Sequence, residues 1–366
     1  MQNSQFTTSS AAQWVARLFI LHFAFCILAA CQPAPEDGPK HTPKSRPATL
    51  YYFTWSDYAD KAVLEDFEKL EQVKVVVDTF GSNEELLAKL QSGATGYDVA
   101  APSDFMVSIL VKQGLLAELD LSKVPNARLL VEHLQHLPFD PTNRYSIPYV
   151  WGTVGIGYDS NRIPTPPDSW TVLWDSRHKG RISMLNDQRE VFGVALRMMG
   201  QSMNARDPTV IEEAKRKLLS QKPLVKTYTS DSYDQLLASG EVVLAHGWGG
   251  AVARAMADRP SVRYVIPKEG GTIWSDCLVL LKSSPRQDLA LRFINYLLDR
   301  EVAARTTNRL MFATSNREAK ALVHPHIRQN PAVYPPDSVF DRLEWMADVG
   351  EAIRLYDRAW TELKIR

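Results

Sequence analysis

Apolar positions along the chain switch between two periods from Ala48 onward. The run ATLYYFTW has the β-branched and aromatic content of a strand. KAVLEDFEKL places Val63, Leu64, Phe67 and Leu70 on one helical face, and VKVVVDTF returns to strand. Ser82-Asn83-Glu84-Glu85 reads as a capping box opening the helix of Leu86, Leu87 and Leu90. YDVAAP is then a short buried strand ending at Ser103, a second N-cap. This βαβαβα order predicts an α/β fold with a parallel sheet flanked by helices. In such sheets ligands sit beyond the C-terminal strand ends, here Trp55 to Tyr58 and Ser103 to Phe105.

A second alternating region follows the glycine-spaced run YSIPYVWGTVGIGYD. GRISMLND and EVVLAHGWGG each predict a strand leading to a helix, SVRYVIPKEGGTIWSDCLVLL holds two strands around a turn, and DLALRFINYLLDREVAARTT is one long amphipathic helix. In NDQREVF, Asp187 stands at an N-cap with Glu190 three residues on, and Val191, Phe192, Ala195, Leu196 and Met199 continue one helical face. The pair is a helix start by pattern; the positive helix end is expected to keep both carboxylates ionised as well.

The folded region is preceded by Arg17 and the uncharged run LFILHFAFCILAA, the core of a signal peptide and too short to span a bilayer. It ends in Leu28-Ala29-Ala30-Cys31, which resembles the bacterial lipoprotein box, in which the cysteine is lipidated and the chain cut before it. Residues 31–47 are proline-rich without large apolar residues and read as a tether. Cys277 is then the remaining thiol of the mature chain, so no disulfide framework is expected. Lys plus Arg number 42, as do Asp plus Glu, which leaves no basic excess for a nucleic-acid partner.

The predicted strand ends each deliver an aromatic or an acid: Trp55, Ser56, Asp57 and Tyr58; Ser103, Asp104 and Phe105; Asp187 and Glu190; Trp248; Trp274 and Asp276. Aromatic faces attract cations and cover methylenes, while carboxylates accept charge-assisted bonds from ammonium groups. Together they suit an elongated organic cation. Catalytic patterns are missing: there is no HExxH, CxxC or GxSxG, and GWGG lacks the Lys-Ser/Thr of a phosphate loop. His133 and His136 in EHLQH are expected on a solvated helical face.

The segments FTWSDYADKAVLEDFEK, FGSNEELLAKLQSGATGYDVAAPS, PFDPTNRYSIPYVWGTVGIGYD, REVFGVALRMMG, VIPKEGGTIWSD, INYLLDREVA and NPAVYPPDSVFDRL together resemble the periplasmic spermidine/putrescine-binding proteins of ABC importers. The resemblance implies a two-lobed type II binding-protein fold, with crossing strands as hinge and the polyamine enclosed between lobes. It divides the chain into 1–30 signal peptide, 31–47 tether, 48–153 with 277–322 as lobe 1, and 154–276 with 323–366 as lobe 2. Implied ligand residues are Trp55, Ser56, Asp57, Tyr58, Ser103, Phe105, Asp187, Glu190, Trp248, Trp274, Asp276 and Phe312, with no catalytic residue, metal or cofactor. Implied partners are a polyamine, the ABC permease and, through Cys31, the membrane of a Gram-negative-type host, the protein acting as a monomer.

Phe105 and Phe312 stand where family members carry tyrosines, and Met346 where spermidine binders carry glutamine. Ala251 stands where putrescine binders carry aspartate after the tryptophan-glycine turn, so a triamine is expected over a diamine. Two alternatives stay open: an exported hydrolase using Asp187 and Glu190, or a metal-binding protein of the same fold.

Overall fold

The computed structural model describes residues 47–93 and 96–365. The signal run, Cys31 and the tether up to residue 46 lie outside the described residues.

The first half is the predicted parallel unit. β1 (Thr49–Trp55) pairs in parallel with β2 (Lys74–Phe80) on one side and with β3 (Val99–Ala100) on the other. The helices between and after them are α1 (Lys61–Glu71), α2 (Asn83–Gln91) and α3 (Asp104–Lys112). Val63 and Phe67 of α1 are buried as the periodicity requires, but Leu70, in the last turn, is 67 % exposed.

Two long strands then carry the chain across the molecule. β4 (Ser146–Asp159) is buried at every position, as is β9 (Gly271–Leu280). They pair antiparallel from Ser146 to Thr153, with an irregularity between Pro148 and Val150 where proline has no N–H to donate. β9 also pairs with β3, and the far half of β4 pairs with β7 (Leu244–Trp248). Beyond β7 lie β5 (Ile182–Met184) and β6 (Val225–Tyr228), both in parallel. The sheet order is thus β2-β1-β3-β9-β4-β7-β5-β6.

The second half carries α4 (Gln188–Met198), α5 (Pro208–Gln221), α6 (Tyr233–Ser239) and α7 (Gly249–Asp258). β8 (Val262–Val265) and β9 do not pair with each other across their turn; each adds to a different part of β4. The expected long helix is two, α8 (Gln287–Leu297) and α9 (Arg300–Leu310), because the Asp299 side chain accepts from the N–H groups of Glu301 and Val302 and starts a new helix. β10 (Ala313–Thr314) then adds to β4, and β11 (Leu343–Trp345) adds in parallel to β9. Phe53, Phe80, Leu86, Met106 and Leu110 fill the first half. Ile156, Trp170, Phe192, Leu218 and Tyr356 fill the second.

Candidate functional site

Alternation along β9 puts Thr272, Trp274 and Asp276 on one face of the strand. Asp276 is 5 % exposed and engages the first half of the sheet: the Tyr58 hydroxyl donates to one carboxylate oxygen, and Ser103 Oγ donates to the other at 2.7 Å. Burial pushes its carboxyl up to about 6, against the two hydroxyl bonds, which pull it down. Ser103 occupies the expected N-cap position of α3 but makes no side-chain cap bond; its hydroxyl is turned to Asp276 and accepts from Asn83 Nδ2 at 3.1 Å. A helix cap is given up here to orient a carboxylate.

Aromatic rings lie beside this acid. Trp274 meets Phe312 edge-on with centroids 5.0 Å apart, and Phe312 lies 6.3 Å from Tyr58. Two glycines permit these close approaches: a Cβ on Gly152 would lie 2.7 Å from the Trp274 indole, and one on Gly250 would lie 2.3 Å from Phe312. The Trp274 Nε1–H is buried without a partner, as is Trp55 Nε1–H, whose ring packs on Phe80 at 4.5 Å. Trp248 is held by its backbone: its N–H donates to the Tyr233 hydroxyl at 3.0 Å, which donates back to its carbonyl at 3.2 Å.

At the other end of the same β9 face, Thr272 Oγ1 donates to Glu190 at 2.6 Å, so β9 is hydrogen-bonded to side chains of both halves. Thr272 and Asp276 are four residues apart, which on a strand is about 13 Å. The capping box of α4 is half formed. Asp187 accepts from the Glu190 N–H at 3.0 Å, while the Glu190 side chain goes to Thr272 instead of returning to the cap. The expectation that the helix end keeps both acids ionised is overturned by burial: the Glu190 carboxyl is pushed up to about 8 by burial and the nearby Asp187, and Asp187 is raised by burial too. Between them, buried Arg189 donates to Asn204 Oδ1 at 2.9 Å and the Ala347 carbonyl at 3.2 Å, and stacks over Tyr356 at 5.1 Å.

The structure thus joins Tyr58, Ser103 and Asp276 by hydrogen bonds, packs Trp274 and Phe312 beside them, and links Glu190 to the same strand through Thr272. Ser56 and Asp57 are exposed on the turn after β1, where Arg309 donates to the Asp57 carbonyl. Phe105 is partly buried against the core cluster that includes Phe53, Phe80 and Met106. Met346 and Ala251 are buried. Thr272, Arg189 and Asp104 are missing from the sequence-derived ligand set, although Thr272 shares the period-two face of Trp274 and Asp276. His133 is not on a solvated face: it sits in a short 3-10 turn against Trp151 at 4.4 Å and Phe340 at 4.7 Å, and burial lowers it to about 4.

A family model described as bacterial extracellular solute-binding protein matches residues 62–335. The spermidine/putrescine-binding periplasmic protein 1 of Haemophilus influenzae is 35% identical over 355 residues, covering 95% of this chain and 98% of that one. Its Escherichia coli counterpart, named spermidine/putrescine-binding periplasmic protein, is 36% identical over 318 residues, 86% of this chain and 91% of that one. Among solved structures, the Tp0655 (TpPotD) lipoprotein of Treponema pallidum superposes with a TM-score of 0.81 at 31% identity, over 87% of this chain and 100% of that one. With two sheet halves spanned by β4 and β9, this is the two-lobed type II periplasmic binding-protein fold, and the chain belongs to the bacterial extracellular solute-binding proteins.

Proposed function

We propose that this chain is the polyamine-capturing component of an ABC importer, acting in the periplasm without catalysis. The observation that carries the proposal is Asp276, a buried acid presented by two hydroxyls from separate strand ends and bordered by Trp274 and Phe312. Such a group offers an alkylammonium both a counter-ion and aromatic cover. The relatives are named for spermidine and putrescine, which agrees. The hydrolase alternative has no support from the family, which is one of solute-binding proteins. Calorimetric titration with spermidine, putrescine, cadaverine and Fe3+ tests the reading: heat with the metal and none with any amine reverses it.

The ligand contacts proposed are Trp55, Ser56, Asp57, Tyr58, Ser103, Phe105, Asp187, Glu190, Trp248, Trp274, Asp276 and Phe312. The lobes are proposed as 48–153 with 277–322 and 154–276 with 323–366, hinged on β4 and β9. A triamine is favoured over a diamine, because Asp187 offers a carboxylate beyond Glu190 and Asp276 and Ala251 stands where putrescine binders carry an aspartate. Spermidine is therefore expected to bind more tightly than putrescine. Ala251→Asp, which adds an acid to the first turn of α7, is expected to move the ratio of the two dissociation constants towards putrescine by about tenfold. Equal affinities in the unaltered protein, or an unmoved ratio in the variant, contradict the triamine assignment.

The remaining assignments are a lipid anchor at Cys31, supported by the lipoprotein-like box, and a permease partner, a monomeric state and a Gram-negative-type host, which follow from the family resemblance alone. Cys31→Ser is expected to move the protein from the detergent phase to the soluble periplasmic fraction with polyamine affinity unchanged. Soluble behaviour of the unaltered protein counts against the anchor.

A further inference from the structure

His246 lies on β7 two residues before Trp248 and is completely buried, yet neither of its ring nitrogens has a hydrogen-bond partner in the protein. Burial lowers it to about 3, so near neutral pH the ring is uncharged, with one nitrogen that donates and one that accepts. Such groups are costly to leave unmet, and those that the chain itself does not satisfy are met by ordered water. The neighbouring indole cannot serve: Trp170 meets His246 edge-on at 5.5 Å and gives its Nε1–H to the Gly270 carbonyl at 2.7 Å.

A cavity of about 10 Å³ lies against His246 where α4, β4, β7 and β9 meet. That is about the room one water needs. The polar side chains around it are His246, Glu190, Thr272, Arg197 and Trp170. Thr272 Oγ1 is committed to Glu190 Oε2 at 2.6 Å. Arg197 is committed to the Glu269 carbonyl at 2.8 Å, and to the Arg342 carbonyl and Glu344, both at 3.3 Å. His246 and the second oxygen of Glu190 remain.

We propose that this cavity binds one ordered water, which accepts from the His246 ring N–H and donates to Glu190 Oε1, and that His246 is thereby a positioning residue for the ligand carboxylate of α4. The role given to Glu190 rests on the polyamine reading; the water does not. Thr272 and the water then fix the two oxygens of Glu190, as Tyr58 and Ser103 fix the two oxygens of Asp276. Each carboxylate oxygen has a second acceptor position, so both acids stay open to an ammonium.

A crystal structure of the ligand-free protein is expected to show one water within hydrogen-bond distance of a His246 ring nitrogen and of Glu190. Calorimetric titration of spermidine into the unaltered protein, His246→Leu, Glu190→Leu and the double variant tests the positioning role, with thermal melting of each. His246→Leu keeps the bulk and removes both nitrogens. It is expected to weaken spermidine binding by about three- to tenfold without lowering the melt, and to add less than about twofold when Glu190 is already replaced. His246→Gln, whose amide can still donate to the water, should recover most of the loss. A crystal in which no water occupies the cavity, spermidine affinity within about twofold in His246→Leu, or an equal loss in both backgrounds overturns the proposal. If His246→Leu does not fold, His246→Met is measured against the same outcomes. Absence of heat with any polyamine in the unaltered protein overturns the functional reading itself, a result distinct from the presence or absence of the water.

Discussion

Asp276→Ala is expected to weaken polyamine binding by about 2 to 5 kcal/mol, because the ammonium is then held in a desolvated place without its counter-ion. That is on the order of 30-fold to several thousand-fold in dissociation constant. The stability of the ligand-free protein should respond differently. The folded-state carboxyl sits at about 6, above its ordinary value of 3.8, so the folded state binds the extra proton and stability falls as pH rises between those values. At neutral pH the buried charge is therefore a burden that a ligand relieves. Asp276→Asn keeps the shape and removes the charge, and should melt no lower than the unaltered protein while binding as poorly as Asp276→Ala. Titration and melting of both variants check this; affinity retained within about threefold in either would sink the assigned ammonium site.

The second large effect is expected on the stability of the fold. Asp140 is buried at the entrance to β4, where its carboxylate accepts from the N–H groups of Arg144, Tyr145 and Ser146 at 3.0, 2.8 and 2.8 Å and from Ser146 Oγ at 2.9 Å. Asp140→Ala leaves these donors without an acceptor, at about 1 to 3 kcal/mol for each one that water does not reach. Arg144 is exposed and Ser146 buried, so the sum should be about 3 to 5 kcal/mol and the melting temperature should fall by roughly 5 °C or more. Urea unfolding measures it directly. A loss below about 1 kcal/mol would mean that water replaces the carboxylate, and polyamine affinity of the folded fraction should be unaffected in either case.

Much of the fold was legible because burial imposes periods. β1, β2 and the helices between them follow from local pattern, and the capping residues Ser82 and Asp187 mark helix starts in the letters themselves. Failures came where a residue's partner lies far along the chain. Asp299 sits inside an unbroken amphipathic pattern, so its power to divide α8 from α9 was masked by the apolar stripe around it. Ser103 was readable as a cap, but its bond to Asp276 spans 173 positions, and no local period encodes that. The acids were readable as acids; their ionisation was not. The helix-end field at Asp187 and Glu190 is a local effect, whereas the burial that outweighs it is made by β9 and the packing around it.

Under the proposed site, the placement of Asp276 on a strand shared by both halves would set the order of events during capture. A cation reaching Asp276 meets a group already oriented by Tyr58 and Ser103, so the encounter needs no rearrangement. On the proposed lobe division, Glu190 and Asp187 ride on α4 in the other half and would come to the ligand as β4 and β9 flex. Arrival is then governed by diffusion and salt concentration, and departure by how long the halves stay together. Changes at Asp276 should alter both rates, while changes at α4 should shorten the residence time and leave the rate of encounter alone.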